Sequence, residues 1–456
     1  MKKTLDITGG KLFPAILLYV FPVFLTSMVN TLYSAADMLV VSYFSNALAL
    51  AAIGAVTPII NLLVYCLPAL CNGTSVVVGR AIGAQDSEKA HKGMHSALIF
   101  GAALGVGIAV LIWLLSQKVL LAINCPAECF SVADLYLKLY CLGLPAKLVY
   151  FCVTSVLYAE GDSKTPMFYE TVCGVFNVLL NIMLCLVLAN KVAAVALATV
   201  ASYYLSAFLG IRKLIIKKEG MCRLKIRSMR FSLKTQWEML KYGIPQAVTS
   251  ALYPIANLQI QPAINSYGAI CLAGATAASQ IDALTTTFAY AFNTTCVTFV
   301  SQNIGAHKPK RVRNAIGICL GCSILCALVC GLLTYRFSQP LLNLYVDGNA
   351  ESIWFGQKRM QYLTCFLWLS AYNGGITVIL QSLGYPTFPT INNLISVLGF
   401  RIIWMRFFYY PAPSADMLFV CYPISYGLMA LLTTALFIYA AIKYQKKEKQ
   451  FRLTTI

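Results

Sequence analysis

Asp37 stands inside an otherwise uncharged apolar run that begins at Leu12. A carboxylate taken out of water into hydrocarbon is costly, so an acid in such a place marks a functional site by default. Three further polar side chains reach the same depth. Asp37 lies nine residues before an outer turn at Asn46, Asn181 nine before a turn at Asn190, and Thr199 nine after that turn. At 1.5 Å per residue each is about 14 Å below its turn, near the middle of a roughly 30 Å hydrocarbon core. Asn177 sits one turn from Asn181 on the same helix face. A carboxylate, two amide oxygens and a hydroxyl suit a small hard cation such as Na+. They equally suit a proton carried by Asp37, its neutral form hydrogen-bonded by the amides. The plainer reading of Asn177, Asn181 and Thr199 is hydrogen bonding between helices.

The elements that must hold these groups are membrane spans. Of 456 residues 59% are hydrophobic and only 11% charged, well outside the composition of a soluble domain. Apolar stretches long enough to cross, at roughly 20 residues each, are expected over residues 13–44, 47–72, 94–116, 132–159, 166–189, 192–216, 237–265, 270–300, 314–337, 359–383, 388–410 and 415–443. The chain is therefore expected to be an all-α polytopic membrane protein with twelve transmembrane helices. A net charge of +19 would suggest nucleic acid in a soluble protein, but here the basic residues fall in alternate loops. Arg80, Lys89, Lys92, Lys164, the run between residues 212 and 241, Lys308 to Arg313 and the tail share one side with Lys2 and Lys3. The positive-inside rule places both termini in the cytoplasm, and no nucleic-acid partner is expected.

Comparing the chain with itself reveals a repeat. Gly79-Arg-Ala-Ile82-Gly83-Ala84 returns 222 positions later as Ser301-Gln-Asn-Ile304-Gly305-Ala306. Gly161, followed by Pro166, returns 223 positions later as Gly384, followed by Pro389, and Pro22 with Thr26-Ser27 returns as Pro245 with Thr249-Ser250. Two six-helix bundles are expected, an N-terminal one over residues 1–216 and a C-terminal one over 237–445. They flank a basic cytoplasmic linker at 217–236 and precede a basic tail at 446–456. Six is even, so both halves enter from the same side and their pseudo-two-fold axis runs along the membrane normal. Paired repeats of this kind enclose a site near the midplane and work by alternating access.

Pro22, Asp37, Leu50-Ala-Ala-Ile-Gly54, Gly83-Ala84, Gly161-Asp-Ser-Lys-Thr-Pro166, Gln302-Asn303-Ile-Gly-Ala306, Arg401-Ile-Ile-Trp404 and Tyr422-Pro423-Ile-Ser425 form an ordered series. In that series the chain resembles the multidrug and toxic compound extrusion (MATE) family over nearly its whole length. The resemblance implies a sodium- or proton-coupled antiporter that expels amphipathic, often cationic, compounds. It also implies an ion site on helices one, five and six, made by an acid, an Asn-x-x-x-Asp pair and a Thr. Those positions match Asp37, Asn177, Asn181 and Thr199, except that Asn181 replaces the second acid and leaves Asp37 as the sole carboxylate.

The second half serves as an internal control. Displaced by 223, Asp37, Asn177, Asn181 and Thr199 fall on Ile260, Phe400, Trp404 and Tyr422. The coupling ion is thus expected in the first half, with aromatic faces for an organic cation in the second. Other intramembrane charges are substrate-cavity candidates. Lys147, near the midplane, could pair with Asp37, meet an anionic substrate or form a structural ion pair; Asp282 and Arg401 could form a structural or gating pair. Glu170, close to Lys164, is expected to reach interfacial water.

Several motifs have plainer readings. Cys319, Cys322, Cys326 and Cys330 follow one face of a helix and cannot surround a metal. Cys125 and Cys129 could pair in an outer loop. His91 and His95 lack an evident third ligand and read as a solvated helix end. Gly161-Asp-Ser-Lys-Thr-Pro166 lacks the spacing of a phosphate loop and reads as a tight turn.

A secondary active antiporter follows, exporting amphipathic organic compounds, expected to be cationic, in exchange for H+ or Na+. It is expected to act as a monomer in the cell membrane with no cofactor beyond the coupling ion, Na+ being the one metal that Asp37, Asn177, Asn181 and Thr199 would hold. The alternative is a flippase for a lipid-linked intermediate, with Lys147 and Arg401 on a pyrophosphate. No nucleophile-base or metal constellation shares one depth, so an enzyme is not expected.

Overall fold

The computed structural model describes the backbone of residues 5–44, 47–123, 125–217, 220–346 and 348–454. Their side chains are described except at 33–39, 41–43, 47–51, 269, 447–449 and 451–454. The expected outer-loop residues Asn46 and Asp347 fall outside this set.

Long helices fill the first repeat. They are α1 (Leu12–Phe44), α2 (Ala47–Gly83), α3 (Ser87–Ala122), α4 (Phe130–Cys141), α5 (Leu144–Ala159), α6 (Lys164–Val187) and α7 (Lys191–Ile216). The second repeat has α8 (Leu233–Asn265), α9 (Gly268–Gly305), α10 (Pro309–Arg336), α11 (Ser338–Val346), α12 (Ala350–Leu363) and α13 (Leu367–Leu383). It ends with α14 (Thr387–Asn393), α15 (Phe400–Trp404) and α16 (Ala415–Thr454). Short polar residues start several of them. Asp86 accepts from Lys89 N ahead of α3, Asn190 from Ala193 N ahead of α7, and Asn349 from Ser352 N ahead of α12, each satisfying an orphan amide of the first turn.

Among the described residues eight helices are long and apolar enough to span, and two bent pairs bring the number to ten. The expected fourth span is α4 and α5, bent by 42°, and the expected tenth is α12 and α13, bent by 45°. Both bends lie at matching points of the repeat. Each is packed tightly by a glycine: a Cβ on Gly105 of α3 would lie 2.5 Å from Pro145 Cα, and one on Gly331 of α10 would collide with Thr364 O. Helices α8 and α9, 33 and 38 residues long, are long enough to span but less apolar. All of this fits the all-α, twelve-span expectation.

The duplication is visible in the backbone. Gln85 and His307, 222 positions apart, both adopt positive φ (58° and 50°), and so do Gly161 and Gly384, 223 apart (84° and 103°). Each pair closes a turn between helices.

The chain divides into two compact units whose borders differ from those of the repeat. The first comprises residues 1–6 and 25–247, the second 7–24 and 248–456. Displaced by 223, positions 7 and 24 fall at 230 and 247. Each unit thus holds the opening segment of the other repeat. In the second unit, Tyr19 of α1 bonds Thr298 Oγ1 at 3.3 Å and meets the Phe299 ring edge-on, while Arg311 gathers the carbonyls of Ile7, Gly9 and Gly10. In the first, Tyr242 of α8, the repeat equivalent of Tyr19, accepts from Arg80 Nη1 at 2.7 Å. Helix surfaces outside the two cores carry leucines, valines and phenylalanines, as expected of walls facing lipid.

Candidate functional site

The first unit holds a chain of polar side chains without solvent contact. Asn177 and Asn181, one turn apart on α6, are 0% exposed, and Thr199 of α7 is buried. Asn181 Nδ2 donates to Asn177 Oδ1 at 2.9 Å, and Asn177 Nδ2 donates to Thr199 Oγ1 at 3.5 Å. Thr199 Oγ1 donates to Val195 O at 3.0 Å. Asn181 and Thr199, matched by depth, and Asn177, one turn from Asn181, are therefore neighbours. The Asn177 carbonyl oxygen has a second lone pair, so the chain keeps acceptor capacity for a cation or a protonated acid. Asp37 lies in α1 within this unit; its side chain lies outside the described residues.

Of the three expectations for Lys147, the structure shows the ion pair. On α5 it pairs with Glu170 of α6 at 3.6 Å, both side chains 13% exposed. Its ammonium lies 4.6 Å from the Tyr203 ring and 5.0 Å from that of Phe151. Glu170 is thus held inside the unit as the counter-ion of Lys147 and is not spread into interfacial water. An ammonium enclosed by a carboxylate and two aromatic faces is a structural ion pair.

In the second unit the helix running from Thr387 to Tyr409 is π-helical over Leu394–Gly399 and Met405–Tyr409, on either side of α15. One face of it is an aromatic ladder: Phe400 and Trp404 lie 5.7 Å apart, and Trp404 stacks on Phe408 at 4.8 Å. Trp404 Nε1 donates to Met417 O at 2.9 Å, which fixes the ring. Next to this ladder the helix carries the buried Arg401. Its Nη1 donates to Asn257 Oδ1 at 2.9 Å, and its Cζ lies 4.2 Å from the Tyr422 ring.

Among the described residues no ion pair joins Asp282 to Arg401, so that expected pair is corrected: Arg401 leans on an amide and two phenols. The cation whose field reaches Asp282 is Arg359 of α12. Ile260, the repeat equivalent of Asp37, is buried in an apolar cluster. Sequence reasoning missed Asn257 and Arg359. An amide in the middle of the expected span 237–265 was a signal for the first; Arg359 is the first residue of the expected span 359–383, where a charge draws no notice.

The plainer readings of the other motifs fare unevenly. Among the described residues no group of three or more His, Cys, Asp or Glu is placed to hold a metal. Cys125 and Cys129 face each other as thiols, sulfurs 3.9 Å apart. His95 is buried, contrary to the solvated end expected of it, because it lies on the inner face of α3; only His91 is at the surface.

A family model described as MatE matches this chain twice, over residues 22–183 and 245–405. The two matches begin 223 positions apart, at the repeat found by self-comparison. A probable multidrug resistance protein, YoeA, of Bacillus subtilis (strain 168) is 23% identical over 444 residues, 95% of this chain and 94% of that protein. A FAD transporter of Shewanella oneidensis is 22% identical over 318 residues, 69% of this chain and 70% of that protein. A solved outward-facing multidrug resistance transporter superposes with a TM-score of 0.89 at 20% identity, covering 98% of this chain and 99% of that one. At that identity the likeness is one of fold.

Proposed function

The chain belongs to the MatE family, and on that premise we propose that it is a secondary active antiporter of the cell membrane. It exports amphipathic organic compounds in exchange for H+ or Na+ by alternating access. Both termini are cytoplasmic and one copy is the working unit. The coupling ion is the only group besides cargo that the reading requires.

One observation carries the coupling role: the Asn177–Asn181–Thr199 chain is fully enclosed and hydrogen-bonded, whereas the repeat equivalents are aromatic. A polar chain that served only to join helices would have no reason to be confined to one repeat beside the single carboxylate of α1. Arrival of the ion at Asp37 neutralises that carboxylate and lets the surrounding helices repack, which is the free-energy difference that alternating access needs. If sodium is the ion, Asp37, the Asn177 and Asn181 amide oxygens and Thr199 Oγ1 supply hard oxygen donors.

The test is efflux of a fluorescent organic cation from vesicles with pH and sodium gradients imposed separately. Asp37→Asn should insert normally and lose gradient-driven efflux; normal efflux by that variant under the same gradient would falsify the coupling role.

The flippase alternative is weakened by the pairing of Lys147 with Glu170, which takes away one of the two cations meant for a pyrophosphate. The relatives' names span drug export and FAD transport, so the cargo class is argued from this chain's own residues.

A further inference from the structure

Arg401 is the most deeply buried cation of the second unit, 1% exposed. Among the described residues no carboxylate lies within 4 Å of it. The intramembrane cation of the first unit, Lys147, has one. Nη1 donates to Asn257 Oδ1, which also accepts from the Tyr422 hydroxyl at 3.3 Å. Nε and Nη2 have no hydrogen-bond partner. Those two N–H groups share one edge of the guanidinium and point the same way, the fork that matches two oxygens of a carboxylate, phosphate or sulfonate. A buried charge is tolerated when it is paired and hydrogen-bonded; here half of that requirement is left open.

The surroundings complete the outline of a ligand. The Tyr422 and Tyr426 rings lie 4.2 and 5.9 Å from Cζ, so aromatic faces stand beside the guanidinium. The π-helical turns on both sides of α15 are a form of backbone frequent at functional positions.

We infer that the Nε–Nη2 edge of Arg401 is the receptor for an oxyanion on the transported compound, whose aromatic body packs against Tyr422 and Tyr426. The cargo is then an amphipathic oxyanion or zwitterion, not a plain organic cation. The edge has no accessible surface in this conformation, so the ligand is admitted when the Tyr426 ring turns aside. The inference rests on the transport reading above and deepens it.

The probe is a matched pair, dansylglycine and its uncharged amide, with binding followed by fluorescence in lipid nanodiscs holding the full chain. The wild type should bind the acid about tenfold more tightly than the amide, the low end of what a hydrogen bond to a charged group contributes. Arg401→Gln should bring the ratio to one. Arg401→Lys, which keeps the charge and loses the fork, should lose most of the preference. Equal binding of acid and amide by the wild type overturns the inference without any variant, and so does a preference that survives in a folded Arg401→Gln protein. Gradient-driven efflux with equal binding of the pair removes the receptor and leaves the antiporter. A preference for the acid with no gradient-driven efflux of either compound removes the antiporter and leaves the receptor.

Discussion

Asn181 and Asn177 meet at 2.9 Å, amide to amide, on one face of α6. The contact aligns the second amide on Thr199, so the two asparagines act as one relay. Asn181→Ala should cost stability by about 1–3 kcal/mol, the usual penalty for orphaning a buried polar partner, and should reduce coupled efflux. Asn181→Asp, which restores a second carboxylate, should shift the gradient preference of efflux toward sodium. Vesicle efflux under separate gradients reads both, and unchanged coupling in Asn181→Ala would remove the relay from the mechanism.

The Lys147–Glu170 pair predicts a non-additive cycle. Either single replacement, Lys147→Met or Glu170→Leu, leaves an uncompensated charge within the unit and should destabilise by about 3–5 kcal/mol. The double replacement should recover most of that loss. Thermal unfolding in detergent measures the cycle; additive losses would show that the two side chains do not depend on each other.

A third expectation concerns the cytoplasmic end of the first unit. Glu160 receives Lys217 Nζ and the amide of Cys222, and burial, followed by the Glu160 charge, pushes the Cys222 thiol well above its usual range. Since the thiolate is the reactive form, Cys222 should resist maleimide at neutral pH. Glu160→Ala should release the segment and speed labelling at least several-fold, followed by mass spectrometry. Fast labelling of the unaltered protein would contradict the closed arrangement.

Backbone geometry gives a fourth. Gln85 holds positive φ in a turn that any Cβ-bearing residue enters at a cost. Gln85→Gly should stabilise by about 0.5–1 kcal/mol, the left-handed penalty less the entropy of glycine. Gly161→Ala, at φ 84°, should destabilise by about 1 kcal/mol or more. The two unfolding midpoints should move in opposite directions.

Much of the fold was legible because apolar length and a fixed offset are one-dimensional signals: the repeat, its landmarks and most spans follow from them. The bends were less so, since a single apolar run conceals a break unless Gly143 and Pro145 are read as punctuation. Height in the membrane was also legible, which is why Asn177, Asn181 and Thr199 come together. Direction around the helix axis was not. Counting along the chain gave Lys147 and Arg401 a level but no side, so it could not choose Glu170 for the first or Asn257 for the second. The borders of the units were illegible for a related reason: contacts of Tyr19 and Tyr242 decide them, and neither residue stands out in its own segment.

The traded opening segments bear on ancestry. Residues 7–24 complete the core of the unit that contains the other repeat, and residues 230–247 return the favour. A protein made of one repeat could have closed its core only by lending that segment to a second copy and borrowing one back. Cutting the linker should therefore yield two fragments that fold when co-expressed and fail when made alone.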